Sequence, residues 1–456
     1  MKYDTVFTKN FRCRLPIMGA PMAGVSGGQL AYETCVAGGL GFIAAGHMNT
    51  MESYQNLQKE IQIFRDLCAS NSGSSLLSSS TAAAAATPRN FPLNIGFIGH
   101  STFGQHDSLG WEYVQRIIQE NQPFAVQFFA PAIVPYPYGS TNSKSKSKSN
   151  SNNSNTNFRN NIQLCQQTSF LGGKKEEGGE GCTTSTSTRT TTRTKVIVQV
   201  GSVQDAVTAL DAGCVDCIIA QGTEAGGHGL RRDLGNGTLS LTSQIVELVR
   251  HRHHRTHQKQ QQQQQQQNKR QKLDGTTTTV VRPAVLAAGG IVNGKGLLAA
   301  LSLGADGVVL GTRLWASTEA LGRPSYKTAL VQAAQCDNVV RTRIFDTISN
   351  SQTTNNNKWP YPYDSSGTLR NQTTQQWEDD TCIPKLEKEL LSAESTATAT
   401  ATATDNTKNN PDWGCVYAGE GVGEIYSIDP TSEIFQRIEK EVSVAMSCLK
   451  DKIDGG

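Results

Sequence analysis

The sequence has little of what marks membrane, secreted or nucleic-acid-binding proteins. No apolar run approaches the ~20 residues that span a bilayer, and residues 1–14 lack the apolar core of a signal peptide. The formal net charge is only +3, which gives no reason to expect a nucleic-acid or membrane partner. The eleven cysteines are odd in number and scattered, which indicates reduced thiols rather than disulfides. We therefore expect a cytoplasmic protein.

Apolar and charged residues are also scarce, at 37% and 18% of the chain. Both fractions are lowered by five polar or low-complexity tracts, which cannot bury enough apolar surface to offset their ordering entropy. Because insertions are tolerated in surface loops, these tracts also mark where loops lie between core elements. We predict disordered insertions at residues 69–89, 139–194, 251–279, 347–358 and 392–410.

The remaining sequence alternates short apolar strands with amphipathic helices, which is typical of a parallel sheet. The strands number close to eight, and no Gly-x-Gly-x-x-Gly follows the first of them. We therefore predict a TIM (β/α)₈ barrel over residues 1–313, although an open doubly wound sheet shows the same local alternation. The predicted strands cover residues 15–18, 40–45, 93–98, 125–129, 196–200, 217–220, 284–288 and 307–310.

Beyond residue 313 the pattern becomes helical, at residues 314–335, 384–391 and 429–450. Residues 314–456 are predicted to form a smaller C-terminal helical domain that covers one side of the barrel mouth.

Functional residues of a barrel lie at the carboxyl ends of its strands. The first strand is followed by a stretch dominated by small residues, which lets backbone approach a flat ligand closely, although a tight turn would use the same residues. This stretch contains Ala20, Pro21, Met22 and Ala23. Asn94 lies within the predicted third strand, where a buried amide needs a partner, either a ligand or a backbone group.

The stretch from Ala220 to Gly229 carries the strongest signal. An apolar strand ends in Gln221, and Gly226 and Gly227 then precede His228. Glycines that weaken a fold, beside an imidazole that titrates near neutrality, suit a ligand that needs backbone contact and proton transfer. A Gly-rich loop with a solvent-facing histidine is the alternative.

Two consecutive strand ends suggest a phosphate site. In barrels the loops after the last two strands often bind phosphate through backbone amides and a helix N-terminus, whereas a pair of open turns would need no ligand. The residues are Gly289, Gly290, Val309, Leu310, Gly311 and Thr312.

Two clusters resemble metal or redox motifs but favour simpler interpretations. Cys214 and Cys217 have redox spacing, yet they stand at the entry to an apolar strand, where small buried cysteines are common. The histidines at 251, 253, 254 and 257 lack acidic or cysteine partners and run into polyglutamine. This tract is expected to be a solvated basic segment, and no metal site is predicted.

Taken together, these stretches resemble the nitronate monooxygenase family, formerly called 2-nitropropane dioxygenases. The resemblance covers nearly the whole core and skips the insertions. It is carried by Pro16–Gly24, Asn94–Phe97, Ala220–Gly229, Ala288–Ile291, Gly307–Thr312, Thr342–Asp346, Leu369–Asn371 and Val416–Gly423.

The resemblance implies an FMN-dependent oxidoreductase with a (β/α)₈ barrel and a smaller helical domain. By similarity, the backbone at 20–23 and the amides of Asn94 and Gln221 contact the flavin, while Gly226, Gly290 and the 309–312 segment hold the flavin and its phosphate. The family's catalytic base maps onto His228. The implied substrates are a nitroalkane or nitronate and O₂, and the implied products are a carbonyl compound and nitrite.

Two alternatives remain open at this point, as does the oligomeric state. An NAD(P)H-dependent FMN reductase of the same barrel type, such as an enoyl-ACP or quinone reductase, would share the flavin motifs and the histidine. A non-catalytic interaction scaffold would use the polar tracts as binding arms. The tract at 139–194 is expected to begin near the barrel mouth and to affect substrate access.

Overall fold

A computed structural model gives the fold of the core. It describes residues 2–48, 50–70, 91–98, 109–129, 193–213, 215–268, 281–334, 338–352, 359, 361–377, 382–394 and 410–454. Most of each predicted insertion at 69–89, 139–194 and 392–410 lies outside these ranges, as do residues 269–279, residues 353–358 and Cys214.

Eight parallel strands form one curled sheet, in the order β1-β9-β8-β6-β5-β4-β3-β2. The two edges are joined by a parallel bridge between Met18 and Leu40, three residues before β2. The predicted TIM-barrel architecture is therefore confirmed. The strands are β1 Ile17–Gly19, β2 Ile43–Gly46, β3 Asn94–Ile98, β4 Ala125–Phe129, β5 Lys195–Val200, β6 Cys217–Gln221, β8 Ala284–Ala288 and β9 Gly307–Leu310, and β7 belongs to a second sheet.

The second sheet is small and antiparallel, and the sequence pattern did not predict it. Its order is β10-β11-β7, with β7 Gly227–Gly229, β10 Val339–Thr342 and β11 Ser365–Leu369. His228 of β7 lies opposite Ser366 of β11. A segment that follows barrel strand β6 is thus held by strands from the C-terminal part of the chain.

Helices surround the barrel and complete the C-terminal part. In chain order they are α1 Val6–Phe11, α2 Gly28–Val36, α3 Met51–Ser70, α4 Leu109–Asn121, α5 Val203–Ala212, α6 Thr238–Asn268, α7 Gly294–Ser302, α8 Thr312–Trp315, α9 Pro324–Gln332, α10 Ile344–Gln352, α11 Gln372–Trp377, α12 Ile383–Glu394 and α13 Thr431–Asp454. None of the described helices is both long enough and apolar enough to cross a membrane.

Helix α13 packs against α7 and α2, so a helix from beyond residue 313 belongs to the outer layer of the barrel. The contact is close, since a Cβ on Gly294 would lie 2.5 Å from the carbonyl oxygen of Ile438. Ile434, Ile438 and Val442 form the buried stripe of α13. The domain boundary at residue 313 stays a prediction.

Two helix predictions differ from the structure. Helix α6 does not end near Arg250 but continues to Asn268, into a tract predicted to be disordered. The helix is favoured there because Glu247 pairs with Arg250 and His251 one turn later, and because glutamine has a good helix propensity. The helix predicted over 314–335 is divided into α8 and α9. Gly322 has a φ of 104° and Pro324 begins α9, and both interrupt a helix.

The barrel floor, formed by the amino ends of the strands, is closed by α1 and by ion pairs. Phe7 and Phe11 of α1 are fully buried against the strands. Asp216 accepts two hydrogen bonds from Arg193, at 2.7 and 2.9 Å, and one from the backbone N–H of Val196. Asp306, next to β9, repeats this arrangement with an arginine and a strand N–H.

The barrel interior also explains Cys217. Its side chain is completely buried in β6, and burial raises the pKa of the thiol well above 9. A buried, protonated thiol contributes to packing and not to redox chemistry, as the sequence pattern predicted for this cysteine.

Candidate active site

A cavity of about 350 Å³ opens at the carboxyl ends of the barrel strands. This volume suits a cofactor or small ligand, and barrels place their functional residues at this end. Thirteen of the predicted site residues line it: Ala20, Pro21, Met22, Ala23, Gln221, Gly226, Gly227, His228, Gly289, Gly290, Val309, Gly311 and Thr312.

Two predicted residues lie elsewhere. Asn94 is the first residue of β3, at the floor, and its side-chain amide donates to the carbonyls of Gly41 and Pro92 at 2.9 and 3.1 Å. Leu310 is the last residue of β9, but it is 1% exposed and packs in an apolar cluster beside the cavity. The structure thus places the Asn94 amide against backbone carbonyls at the floor, away from the cavity, and its contact with a ligand stays a prediction. Gly96 of the same strand lines the cavity instead.

Three buried polar atoms in the cavity wall have no hydrogen-bond partner among the described residues. They are Oε1 of Gln127, Oε1 of Gln221 and Nε1 of Trp315. Such atoms also occur outside the cavity, as at Asn94 Oδ1, and all of them are enclosed by protein atoms. Leaving such a group unpaired costs about 1–3 kcal/mol, so a partner for any of the three would stabilise the fold.

Close backbone packing shapes the walls around this space. A Cβ on Gly226 would lie 2.6 Å from the backbone of Gly419, and one on Gly421 would lie 2.6 Å from the carbonyl of Gly290. A Cβ on Gly96 would lie 2.3 Å from the ring of Pro21. Larger residues are excluded at all three positions, so the segments that form the cavity wall can pack closely against one another.

One end of the cavity is formed by three glycine-rich loops. Gly289 and Gly290 have φ values of 121° and 67°, Gly311 precedes α8, and Thr312 Oγ1 accepts a hydrogen bond of 3.0 Å from Gly419 N. No Lys, Arg, Asp or Glu is among the described lining residues. Backbone N–H groups and the Thr312 hydroxyl are therefore the groups that this end offers to a phosphate.

The N-terminus of α7, which follows the 289–290 loop, is already bonded within the protein. Its Gly294 N–H donates to Glu441 of α13 at 2.8 Å, and the N–H of Gly296 donates to Asn293 at 3.0 Å. Phosphate binding at this end thus depends on the loops themselves.

His228 is held from both the barrel and the C-terminal part. Gln221 Nε2 donates to its backbone carbonyl at 2.9 Å, and Nε2 of its ring lies 3.0 and 2.9 Å from the two carboxylate oxygens of Asp346 on α10. The side chains of His228 and Asp346 are 8% and 16% exposed. A buried imidazole next to a carboxylate and open to a cavity can accept a proton from a ligand.

Aromatic rings surround the imidazole. Trp359 stacks on His228 with ring centroids 3.9 Å apart and planes at 12°, and the Tyr417 ring lies 5.6 Å away. His47, at the end of β2, makes an edge contact with Trp359. Burial, and secondarily the nearby His228, lowers the pKa of His47 to about 4, so His47 is neutral at physiological pH.

Arg341 of β10 fixes the loop that carries these residues. Its guanidinium donates to the carbonyls of Ala225, Ser365, Thr223 and Gly227 at 2.5, 3.2, 3.3 and 3.4 Å. Burial lowers its pKa to about 10, which leaves it charged at neutral pH. One cation therefore ties the loop before His228 to the small antiparallel sheet.

Several lining residues escaped the sequence analysis. Gln127 and Gln199, which are joined by a hydrogen bond of 2.7 Å, lie on β4 and β5, where polar residues within apolar strands were the available signal. Tyr417, Gly419 and Gly421 lie in a stretch that carried the family resemblance without an assigned role. Trp359 follows a polar tract and gave no signal.

The described residues contain no group of three or more His, Cys, Asp or Glu side chains that could hold a metal ion. The lining of the cavity fits FMN: the side-chain amides of Gln127, Gln199 and Gln221 suit a polar ring, and the glycine loops suit a phosphate.

Comparisons with known proteins identify the family of this chain. The family model "Nitronate monooxygenase" matches residues 96–441. A nitronate monooxygenase of Metarhizium robertsii is 26% identical over 95% of this chain and 92% of its own, and one of Neurospora crassa is 27% identical over 54% and 53%.

Solved structures share the fold. FabK from Thermotoga maritima and a nitroalkane oxidase from Streptomyces ansochromogenes each have a TM-score of 0.58 and 20% identity, over 99% and 98% of this chain and 100% of theirs. The matched family model covers most of the core, including β7 and the cavity loops at 289–290, 311–312 and 419–421. The chain therefore belongs to the nitronate monooxygenase family and is an oxidoreductase.

Proposed function

We propose that the protein oxidises alkyl nitronates, such as propionate 3-nitronate, with FMN and O₂, giving carbonyl compounds and nitrite. The observation that carries the proposal is His228, a buried imidazole paired with a carboxylate at the edge of a cavity with loops suited to phosphate. Family membership supports the reaction class.

The residues divide the work in this proposal. The loops at 289–290, 311–312 and 419–421 would hold the phosphate of FMN, and the side-chain amides of Gln127 and Gln221, which line the cavity, would bind its polar ring. Bound FMN supplies the electron transfer between the nitronate and O₂. His228 accepts the α-proton of a neutral nitroalkane, while a preformed nitronate needs no such transfer.

The surrounding rings prepare the same region for an anion. Trp359 and Tyr417 exclude water from His228, and the neutral His47 adds no competing cation. When His228 takes up a proton, its charge is balanced by Asp346 and lies close to the nitronate that has formed.

Oxygen uptake and nitrite release with propionate 3-nitronate test the proposal on the purified flavoprotein. We expect both, with little NADH or NADPH oxidation under the same conditions. Rapid anaerobic bleaching of the flavin by NADH or NADPH, without nitrite formation from nitronates, would identify a reductase instead. A colourless protein that binds no FMN would contradict both activities.

A further inference from the structure

Both carboxylate oxygens of Asp346 lie within hydrogen-bond distance of a single ring nitrogen of His228, at 3.0 and 2.9 Å. We propose that Asp346 is a positioning residue that keeps the proton of neutral His228 on Nε2 and leaves Nδ1 as the proton acceptor. This inference rests on the proposed function only for the identity of the substrate.

The tautomer follows from the donor and acceptor roles. An ionised carboxylate has only lone pairs to offer, so the nitrogen facing it carries the hydrogen. No described residue forms a hydrogen bond with Nδ1. In the neutral ring the lone pair is then on Nδ1, which is the nitrogen that can accept a proton.

The position of Asp346 is set by the start of α10. The Thr342 hydroxyl accepts a hydrogen bond of 3.1 Å from the N–H of Ile344, the first residue of that helix. Asp346 lies in the first turn, where a carboxylate is also favoured by the helix dipole. Its place relative to His228 is thus fixed by backbone, not by a flexible tether.

The orientation of the His228 ring is also restricted by aromatic contacts. Trp359 stacks at 3.9 Å and 12°, and Tyr417 lies beside the ring. A flip that brought Nδ1 towards Asp346 would have to occur within this aromatic contact. The stacking therefore reinforces the orientation that the carboxylate selects.

The proton transfer is balanced in this arrangement. The α-proton of a nitroalkane moves to Nδ1, and the electron pair of the broken C–H bond stays on the substrate as the nitronate. The imidazolium keeps its Nε2 hydrogen bond to Asp346, which stabilises the positive charge as it forms.

The test is Asp346→Asn in the flavin-loaded enzyme. An amide can donate to Nε2, which moves the ring proton to Nδ1 and removes the acceptor. We expect kcat/KM for a neutral nitroalkane to fall about 10²–10⁴-fold, as when a tautomer-selecting carboxylate is neutralised elsewhere. The value for the matching preformed nitronate should fall less than about fivefold, because that substrate needs no proton acceptor.

Two further variants separate positioning from general damage. Asp346→Glu retains a carboxylate and should recover part of the nitroalkane activity. Asp364→Asn breaks the ion pair with Arg231 next to β11, but not the contact with His228. It should affect both substrates equally. Equal losses on both substrates in Asp346→Asn would overturn the proposal.

The tautomer can be determined without an activity assay, from the ¹⁵N chemical shifts of labelled histidine in the holoenzyme. The His228 signals are the ones that are absent from His228→Gln. Wild-type His228 should be protonated at Nε2, and the Asn variant at Nδ1. An active wild type with the proton on Nδ1 would overturn this inference alone. An enzyme inactive on nitronates but protonated at Nε2 would overturn the proposed function and leave the tautomer assignment standing.

Discussion

Buried polar groups are hydrogen-bonded differently at the floor and at the mouth of the barrel. At the floor, Asp216 and Asp306 each accept a two-fold bond from an arginine and a third from backbone. At the mouth, Gln127 and Gln221 keep an oxygen without a partner among the described residues. The protein thus pairs the two floor carboxylates by itself, which favours stability, and leaves the amide oxygens of the two mouth glutamines unpaired.

The sharpest test of this division is His228→Ala at the mouth. The variant should stay yellow with FMN and lose about 10²–10⁴-fold in kcat/KM on neutral nitroalkanes, since the proton acceptor is gone. Activity on preformed nitronates should fall less. Steady-state kinetics normalised to flavin content measure both, and unchanged activity on both substrates would show that His228 is not the base.

At the floor, Asp216→Asn should lower the free energy of unfolding by about 2 kcal/mol, because the buried Asp216 side chain loses its charged hydrogen bonds to Arg193, which is itself 37% exposed. Turnover per bound flavin should not change. Urea unfolding measures the first quantity. The control is Asp211→Asn, whose exposed pair with Arg252 should contribute less than about 1 kcal/mol. Altered turnover in Asp216→Asn would mean that the floor acts on the chemistry.

Acid should destabilise the mouth through His47. Its folded pKa of about 4 lies below the value of 6.5 for a free imidazole, so the unfolded chain binds the proton first as the pH falls. Stability is constant above pH 6.5 and is lost between pH 6.5 and 4. Between pH 7.5 and 5, wild type should lose about 1–2 kcal/mol more unfolding free energy than His47→Gln. Parallel losses in the two proteins would exclude His47 as the cause.

Two glycines with positive φ give the smallest and most closely matched contrast. Gly290 lines the cavity at a φ of 67°, and Gly213 ends α5 on the floor side at a φ of 80°. Alanine at either should cost about 1–2 kcal/mol of stability from backbone strain. Only Gly290→Ala should weaken FMN binding, by about tenfold or ~1.4 kcal/mol. Fluorescence titration measures the affinity of each variant for FMN. Equal affinities in Gly290→Ala and Gly213→Ala would show that the 289–290 loop is not part of the phosphate site.

The sequence was most informative where structure is local. Strand and helix periods located the barrel because each βα unit buries its own apolar face, and Gln221 and Gly290 lie at strand ends as that pattern predicts. The contact of Asn94 with a flavin was predicted from similarity. Asn94 begins a strand, whereas the rule that barrel sites lie at carboxyl ends favours the opposite end of β3.

Contacts between distant segments were beyond prediction. Asp346 is 118 residues from His228, and no period in the sequence relates the two. The β-branched residues at 339–342 were a weak signal for β10, but its pairing depends on β11 and β7. Arg341 likewise reads as a surface charge until its four carbonyl partners are brought together.

The position of α13 has a consequence for how the protein is made. The helix covers α7 and α2, yet of the described elements it is the last to leave the ribosome. Until then the glycine faces at 39 and 294, which receive Phe435 and Ile438, stay uncovered on a nascent barrel whose strands are already complete. The growing chain therefore carries this uncovered face of α2 and α7 while residues 311–430 are made, until α13 follows and packs against it.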